Sequence, residues 1–387
     1  MTLDKPLKTL AEARGFIYGA NINHLDNDPT FFPAFQRECA IMLISSDLRF
    51  EVIHPLQGSS PTDPAAFNFA FADTMVNVVG IPVGMKFHMQ ALIFRDQDLP
   101  AWVPANLTPA NVQSYLEGHV TVPMQHFAGK VRAWNVVNEA IRPQDGNLDG
   151  IRTCGWYTLY SQAPISDGKR YIRDAFAAAN TADPAAKLYY NEFGLDLTGS
   201  DDVAKRAATL ALLDYIQAGP GCRIDALGIQ AHMWPQADGQ MKAGTGQLST
   251  FDPAVLKAFI KAVAAKGLKV YITELDVRDT HLVADIPTRD AQVADVYRRY
   301  LDAALSEPNV EVVMTFGLSD LYTWYTNGVP PRSDGLPIRP LLLDTAMNKK
   351  AAYTAVAEAF STPRNTLAAF NPTFHAPRLP RGRMRMR

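Results

Sequence analysis

The chain has 387 residues, of which 47% are hydrophobic and 20% charged, with a formal net charge of −2. That composition excludes a wholly disordered chain, and the near-zero charge supplies no field for nucleic acid or an anionic membrane. No run of about 18 uncharged apolar residues is present, so no membrane span is expected. The cysteines Cys39, Cys154 and Cys222 are odd in number and far apart, which argues against a disulfide framework or a paired-cysteine zinc motif. The opening MTLDKPLKTLAEARG lacks the apolar core of an export signal. No signal peptide is read, and location stays open: extracellular or periplasmic if a signal was removed, otherwise cytoplasmic.

In chain order, apolar runs rich in β-branched and aromatic residues predict strands at 16–20, 40–44, 83–88, 132–138, 187–192, 226–232, 269–274 and 310–316. Helical patterns fill the intervals at 31–38, 66–78, 110–127, 169–178, 202–216, 253–265 and 289–305, and a last one at 349–360 follows the final strand. Strand alternating with helix implies a parallel sheet, and eight such units predict an α/β fold, a (β/α)8 TIM barrel in one domain. An open doubly wound sheet is the rival, but its glycine-rich phosphate turn is missing. The expected layout is an N-terminal segment at 1–13, the barrel at 14–360, and a basic tail at 361–387. The tail holds six arginines, four prolines and no acid, and is expected to be disordered.

In such a barrel the reactive groups gather at the C-terminal ends of strands. The fourth predicted strand ends with Asn138 and Glu139, and the seventh with Glu274. The sixth ends with Gln230 and His232, the fifth with Asn191 and Glu192, and the third with His88. Glutamates on the fourth and seventh strands face each other across the mouth. Paired carboxylates across a cleft suit glycoside hydrolysis: one donates a proton to the leaving oxygen, and the other attacks the anomeric carbon. A separation of about 5–5.5 Å gives retention, and about 6.5–9.5 Å gives inversion. No HExxH or tight His/Asp cluster supports a metal, so no metal and no cofactor are expected.

The rim segments resemble glycoside hydrolase family 10, the endo-β-1,4-xylanase family. WNVVNEA (134–140) is similar to the family's acid/base motif, which implies that Glu139 is the acid/base and that Asn138 holds a sugar 2-hydroxyl. ITELDV (272–277) resembles the nucleophile motif, implying Glu274 in that role. GIQAHMW (228–234) resembles the Q-x-H strand, in which His232 would orient the nucleophile beside Gln230. AKLYYNEFGLD (186–196) resembles a segment containing Asn191, with Glu192 where the family has aspartate. The resemblance implies a retaining hydrolase of a xylan-like or other β-linked polysaccharide, acting on internal linkages; the chain is expected to be a monomer.

The segment LISSDLRFE (43–51) departs from the family: Ser45 and Ser46 stand where glutamate and asparagine bind the distal sugar, and Arg49 replaces a lysine. In FHMQALIFRDQDLPAW (87–102), His88 and the run 99–102 match, while Leu92 and Ile93 take the place of a Trp-His pair and about three residues are added before Leu99. Phe316 replaces a tryptophan, and Trp324 fits the aromatic that follows. The expected substrate contacts are therefore Asn138, His88, Arg49, Gln230, Asn191, Trp324 and Phe316. Trp102 is a further sugar-stacking candidate. Tyr157 and Tyr160 are candidates for outer subsites, Trp134 is read as buried support, and Asp276 with Arg278 as surface or supporting pairs. The altered recognition residues leave room for two other readings: an enzyme specific for a bacterial exopolysaccharide, hydrolase or transglycosylase, and a carbohydrate-binding barrel without catalysis.

Overall fold

Eight strands run in one direction: β1 (Ile17–Asn21), β2 (Ile41–Ile44), β3 (Lys86–Met89), β4 (Ala133–Asn138), β5 (Lys187–Glu192), β6 (Ala226–Ile229), β7 (Lys269–Val277) and β8 (Val310–Thr315). The computed structural model describes residues 5–22, 30–95, 99–242, 244, 246–326 and 331–363. Each strand pairs in parallel with the next, and β8 pairs with both β7 and β1, closing the ring. Closure leaves no strand edge to protect.

The strands read as continuous apolar runs because both faces are covered. Ile41 and Leu43 of β2 point into the barrel with Ala133, Tyr189, Tyr271, Val312 and Met314. Met42 and Ile44, one residue out of phase, pack outward under the helices. Amphipathic helices cover that outer layer, among them Arg170–Ala182, Ile286–Ala304 and Ala351–Ser361.

Some predicted elements differ in form. The expected helix at 66–78 is a short helix, Ala70–Asp73, continued by the π-helix Thr74–Gly80. The expected strand at 226–232 stops at Ile229, and a separate strand, His232–Pro235, resumes after Ala231, whose φ is +64°. The seventh strand runs to Val277 instead of 274, because Asp276 and Val277 pair with His232 and Met233. Of the predicted tail, residues 364–387 lie outside the described residues, as do residues 96–98 of the extra residues before Leu99.

No disulfide joins the three cysteines. Among the described residues no helix is long and apolar enough to cross a membrane.

Candidate active site

The barrel's hydrogen-bond ladder continues one residue past several strand ends. Gln90 N donates to Ile44 O, Glu139 N to Asn191 O, and Gln230 N to Glu192 O. Glu274 N in turn donates to Gln230 O at 3.0 Å. Rim side chains are therefore carried on backbone as constrained as the sheet itself. Both glutamate-bearing strands also slip in register, β4 between Asn135 and Val137, and β7 against β8 between Ile272 and Leu275. Such irregularities re-aim side chains beside active sites. Glu139 sits at φ +54°, left-handed backbone that an L-residue adopts only at a cost in strain.

Glu274 is anchored by three donors. Gln90 Nε2 and Asn191 Nδ2 donate to its Oε1 at 2.8 and 2.7 Å, and His232 Nε2 faces its Oε2 at 3.2 Å. Asn191 is fully buried and also donates to Asn138 Oδ1, while Thr273 Oγ1 donates to Asn191 Oδ1 at 2.7 Å. A Cβ at position 228 would stand 2.3 Å from Asn191 Oδ1, so only glycine fits there on β6.

Glu139 is held more loosely. Gln230 Nε2 donates to Oε1 at 3.1 Å, Asn138 Nδ2 reaches the same oxygen at 3.4 Å, and the Arg95 guanidinium stands 3.7 Å from Oε2. Burial pushes its pKa up, the neighbouring Glu192 pushes it further, Arg95 and the Gln230 hydrogen bond oppose this, and Glu274 adds a smaller push upward; the net direction is up. Glu192 lies behind it, fully buried, accepting from Lys205 Nζ at 2.7 Å, Tyr190 Oη at 2.5 Å, Phe193 N and Ile141 N.

His232 bridges two carboxylates, with Nε2 toward Glu274 and Nδ1 2.9 Å from Asp276 Oδ1. Burial works against its charge, but Asp276 first and Glu274 after it hold its pKa well above the usual histidine value. Asp276 is fully buried and also accepts from Trp324 Nε1 at 2.8 Å and Tyr325 Oη at 2.7 Å. Asp276 is thus a buried anchor rather than a surface pair; Arg278 stacks over the Trp234 ring.

These groups surround a cavity of about 420 Å³ lined by both glutamates and by Asn138, Gln230, His232, Arg49, Phe316 and Trp324. Asn191 supports it from beneath and does not line it. His88 is a correction. It is fully buried inside the barrel, its Nε2 accepting from Arg132 Nη1 at 2.9 Å, against Tyr189 and Tyr271. Inward-facing residues of one strand recur every second position, so His88 fills the layer below and Gln90 occupies the rim. The same displacement affects Leu92 and Ile93, which are buried, while Phe94 and Arg95 line the cleft. Trp156 Nε1 pins the Phe94 carbonyl at 3.1 Å.

Trp102 packs against Phe50, His54 and Tyr115 away from the cleft, and neither Tyr157 nor Tyr160 lines it. Trp134 is buried as expected. Sequence reasoning missed Gln90, Phe94, Arg95 and Tyr325; the first three lie between the two matching parts of the segment 87–102. Among the described residues, no group of three or more His, Cys, Asp or Glu side chains is arranged to hold a metal ion.

A closed (β/α)8 barrel whose mouth presents two glutamates over one cleft is the framework of a glycoside hydrolase. The family model for glycosyl hydrolase family 10 matches residues 6–359, and the chain belongs to that family. It is 27% identical over 360 residues to endo-1,4-beta-xylanase B of Thermotoga neapolitana, covering 92% of this chain and 91% of the relative. It is 30% identical over 311 residues to endo-1,4-beta-xylanase 1 of Gibberella zeae, covering 80% and 77%. The solved structure of native xylanase 10B from Thermotoga maritima superposes with a TM-score of 0.74 at 25% identity, over 92% of this chain and 98% of that one.

Proposed function

We propose that this enzyme cleaves internal β-linkages of a xylan-like polysaccharide with retention of configuration, using Glu274 as nucleophile and Glu139 as acid/base. The observation that carries this reading is the contrast between two glutamates opening onto one cleft. Glu274 is fixed by three hydrogen-bond partners, and Glu139 is a buried carboxyl with a raised proton affinity. A carboxyl that keeps its proton beside one held for attack is the arrangement that glycoside hydrolysis needs.

In the first step the Glu274 carboxylate bonds to the anomeric carbon as the glycosidic C–O bond breaks. Glu139 gives its proton to the departing oxygen, and the aglycone leaves as an alcohol. In the second, water attacks the same carbon and Glu139, now ionised, takes its proton. The bond to Glu274 breaks and the carboxylate is restored. His232, held by Asp276, keeps one Glu274 oxygen in place while the other bonds to carbon. Asn138 and Gln230 contact the substrate from the floor, and Trp324 and Phe316 wall the sugar.

Hydrolysis of an aryl β-xylobioside and of xylan tests the activity, and proton NMR of the first-formed product tests the stereochemistry. A β-anomer released first, with turnover abolished in Glu274→Ala, is expected. An α-anomer would sink the double displacement. Carbohydrate binding without turnover in the parent enzyme would instead make the barrel a binding module.

A further inference from the structure

We infer that the β2–β3 side of this cleft receives a carboxylate, so that the substrate is an acidic β-glycan bearing a uronic acid or similar acid group near the scissile bond. The inference rests on the hydrolase reading and narrows its substrate.

The cleft is electrically two-sided. Among the described residues, the β2–β3 side is lined by Ser45, Ser46, Arg49, Gln90, Ala91, Phe94 and Arg95, with two guanidinium groups and no carboxylate. On the β5 side it is lined by Asp196 and Asp202. Arg49 also pairs with Glu51 at 3.2 Å, between side chains that are 46% and 40% exposed, where solvent weakens such a pair. An acid group would be drawn to the arginine side.

Arg95 makes the stronger case. Its only ion pair among the described residues is with Glu139, at 3.7 Å, and its Nε has no hydrogen-bond partner in the described structure. The pairing exists only while Glu139 is ionised. Glu139 must be protonated to act as the acid, and at that moment Arg95 faces a neutral carboxyl. A guanidinium placed there favours loss of the proton that has to be donated, an effect that Glu192 and Glu274 offset from the other side. Glu192 and Glu274 make no ion pair with Arg95 among the described residues, so neither takes the place of Glu139 as its partner. A substrate carboxylate does. It takes over the fork of Arg95, frees Glu139 from the cation, and does so only when substrate is bound. Planar two-point pairing with a carboxylate is what guanidinium offers. Neutral sugar hydroxyls would pair with Arg95 without removing its charge.

The test compares kcat/KM on two acidic polymers and their carboxyl-reduced counterparts: a β-linked polymer with glucuronic acid in its main chain, and a xylan with glucuronic acid branches. An aryl β-xylobioside runs in parallel as a measure of the chemistry alone. At least one acidic polymer is expected to exceed its reduced form by about tenfold, as charge-assisted hydrogen bonds imply. Which polymer shows the preference tells main-chain from branch recognition. The ratio should fall toward one in Arg95→Gln and Arg49→Gln, recover partly in Arg95→Lys, and shrink with added salt. A ratio near one in the parent enzyme, or a ratio unmoved in both glutamine variants, would overturn the inference while turnover of the aryl glycoside left the hydrolase reading standing. Loss of all turnover, aryl glycoside included, would overturn both.

Discussion

The surroundings of Glu274 and Glu139 differ in kind. Around Glu274 a relay of side chains, Gln90, Asn191 and the His232–Asp276 pair, converges from four strands and leaves its carboxylate one orientation. Around Glu139 there is one good hydrogen bond, from Gln230, a left-handed backbone, and a second buried glutamate behind it. On the proposed roles, Glu274 as nucleophile must be aimed, and donors surround it. Glu139 as the proposed proton carrier must change charge twice in each turnover, and its neighbours oppose one another.

Replacing the aimed group is expected to have the largest effect. Glu274→Ala should lower kcat by roughly 10⁴-fold or more on every substrate, as loss of a nucleophile does elsewhere. A residual rate above that level would place the attacking group elsewhere. Glu139→Gln should cost about 10²–10⁴-fold on polysaccharide, the usual worth of general acid–base catalysis. Its first step should suffer much less on an aryl glycoside, whose leaving group needs no proton; an equal loss in burst and steady-state rates on both substrates would contradict the assignment.

His232→Asn should lower kcat by about 10- to 100-fold, the equivalent of one charge-assisted hydrogen bond. It also tests the relay through stability. The folded-state pKa of His232 lies well above its unfolded value of about 6.5, so its contribution is complete below pH about 6.5 and disappears as pH rises through the folded pKa. The melting-temperature difference between parent and variant should therefore narrow toward alkaline pH. A constant difference would mean that the histidine is not charged in the fold. The smallest effect is expected at Glu192→Gln. Removing the charge that raises the proton affinity of Glu139 should move the alkaline limb of kcat/KM to lower pH. An unmoved limb would show that burial alone sets it.

Much of this was readable in the chain. The eight strands were legible because strands covered on both faces must be apolar along their whole length, and the helices because only one of their faces is covered. That Glu139, Glu274 and His232 meet at one cleft was legible because strand ends in a barrel converge. His88 was misplaced by two residues. Its predicted strand began at 83, but 81–83 forms a 3-10 turn and β3 runs only from Lys86 to Met89, so the rim fell on Gln90. Asn191 was assigned to the substrate because it ends a strand, yet the space left by Gly228 lets it turn inward onto Glu274.

The sequence by itself determined the barrel, since the alternation of apolar strands and half-apolar helices admits few ways of burying every face. It also determined which carboxylates reach the rim. Only the tertiary structure decided how they differ. Burial, the register slips of β4 and β7, the turn at Ala231 and the placing of Arg95 beside Glu139 each depend on contacts between residues tens to hundreds of positions apart. Proton affinity and aim are properties of that three-dimensional field, and nothing local to either glutamate encodes them.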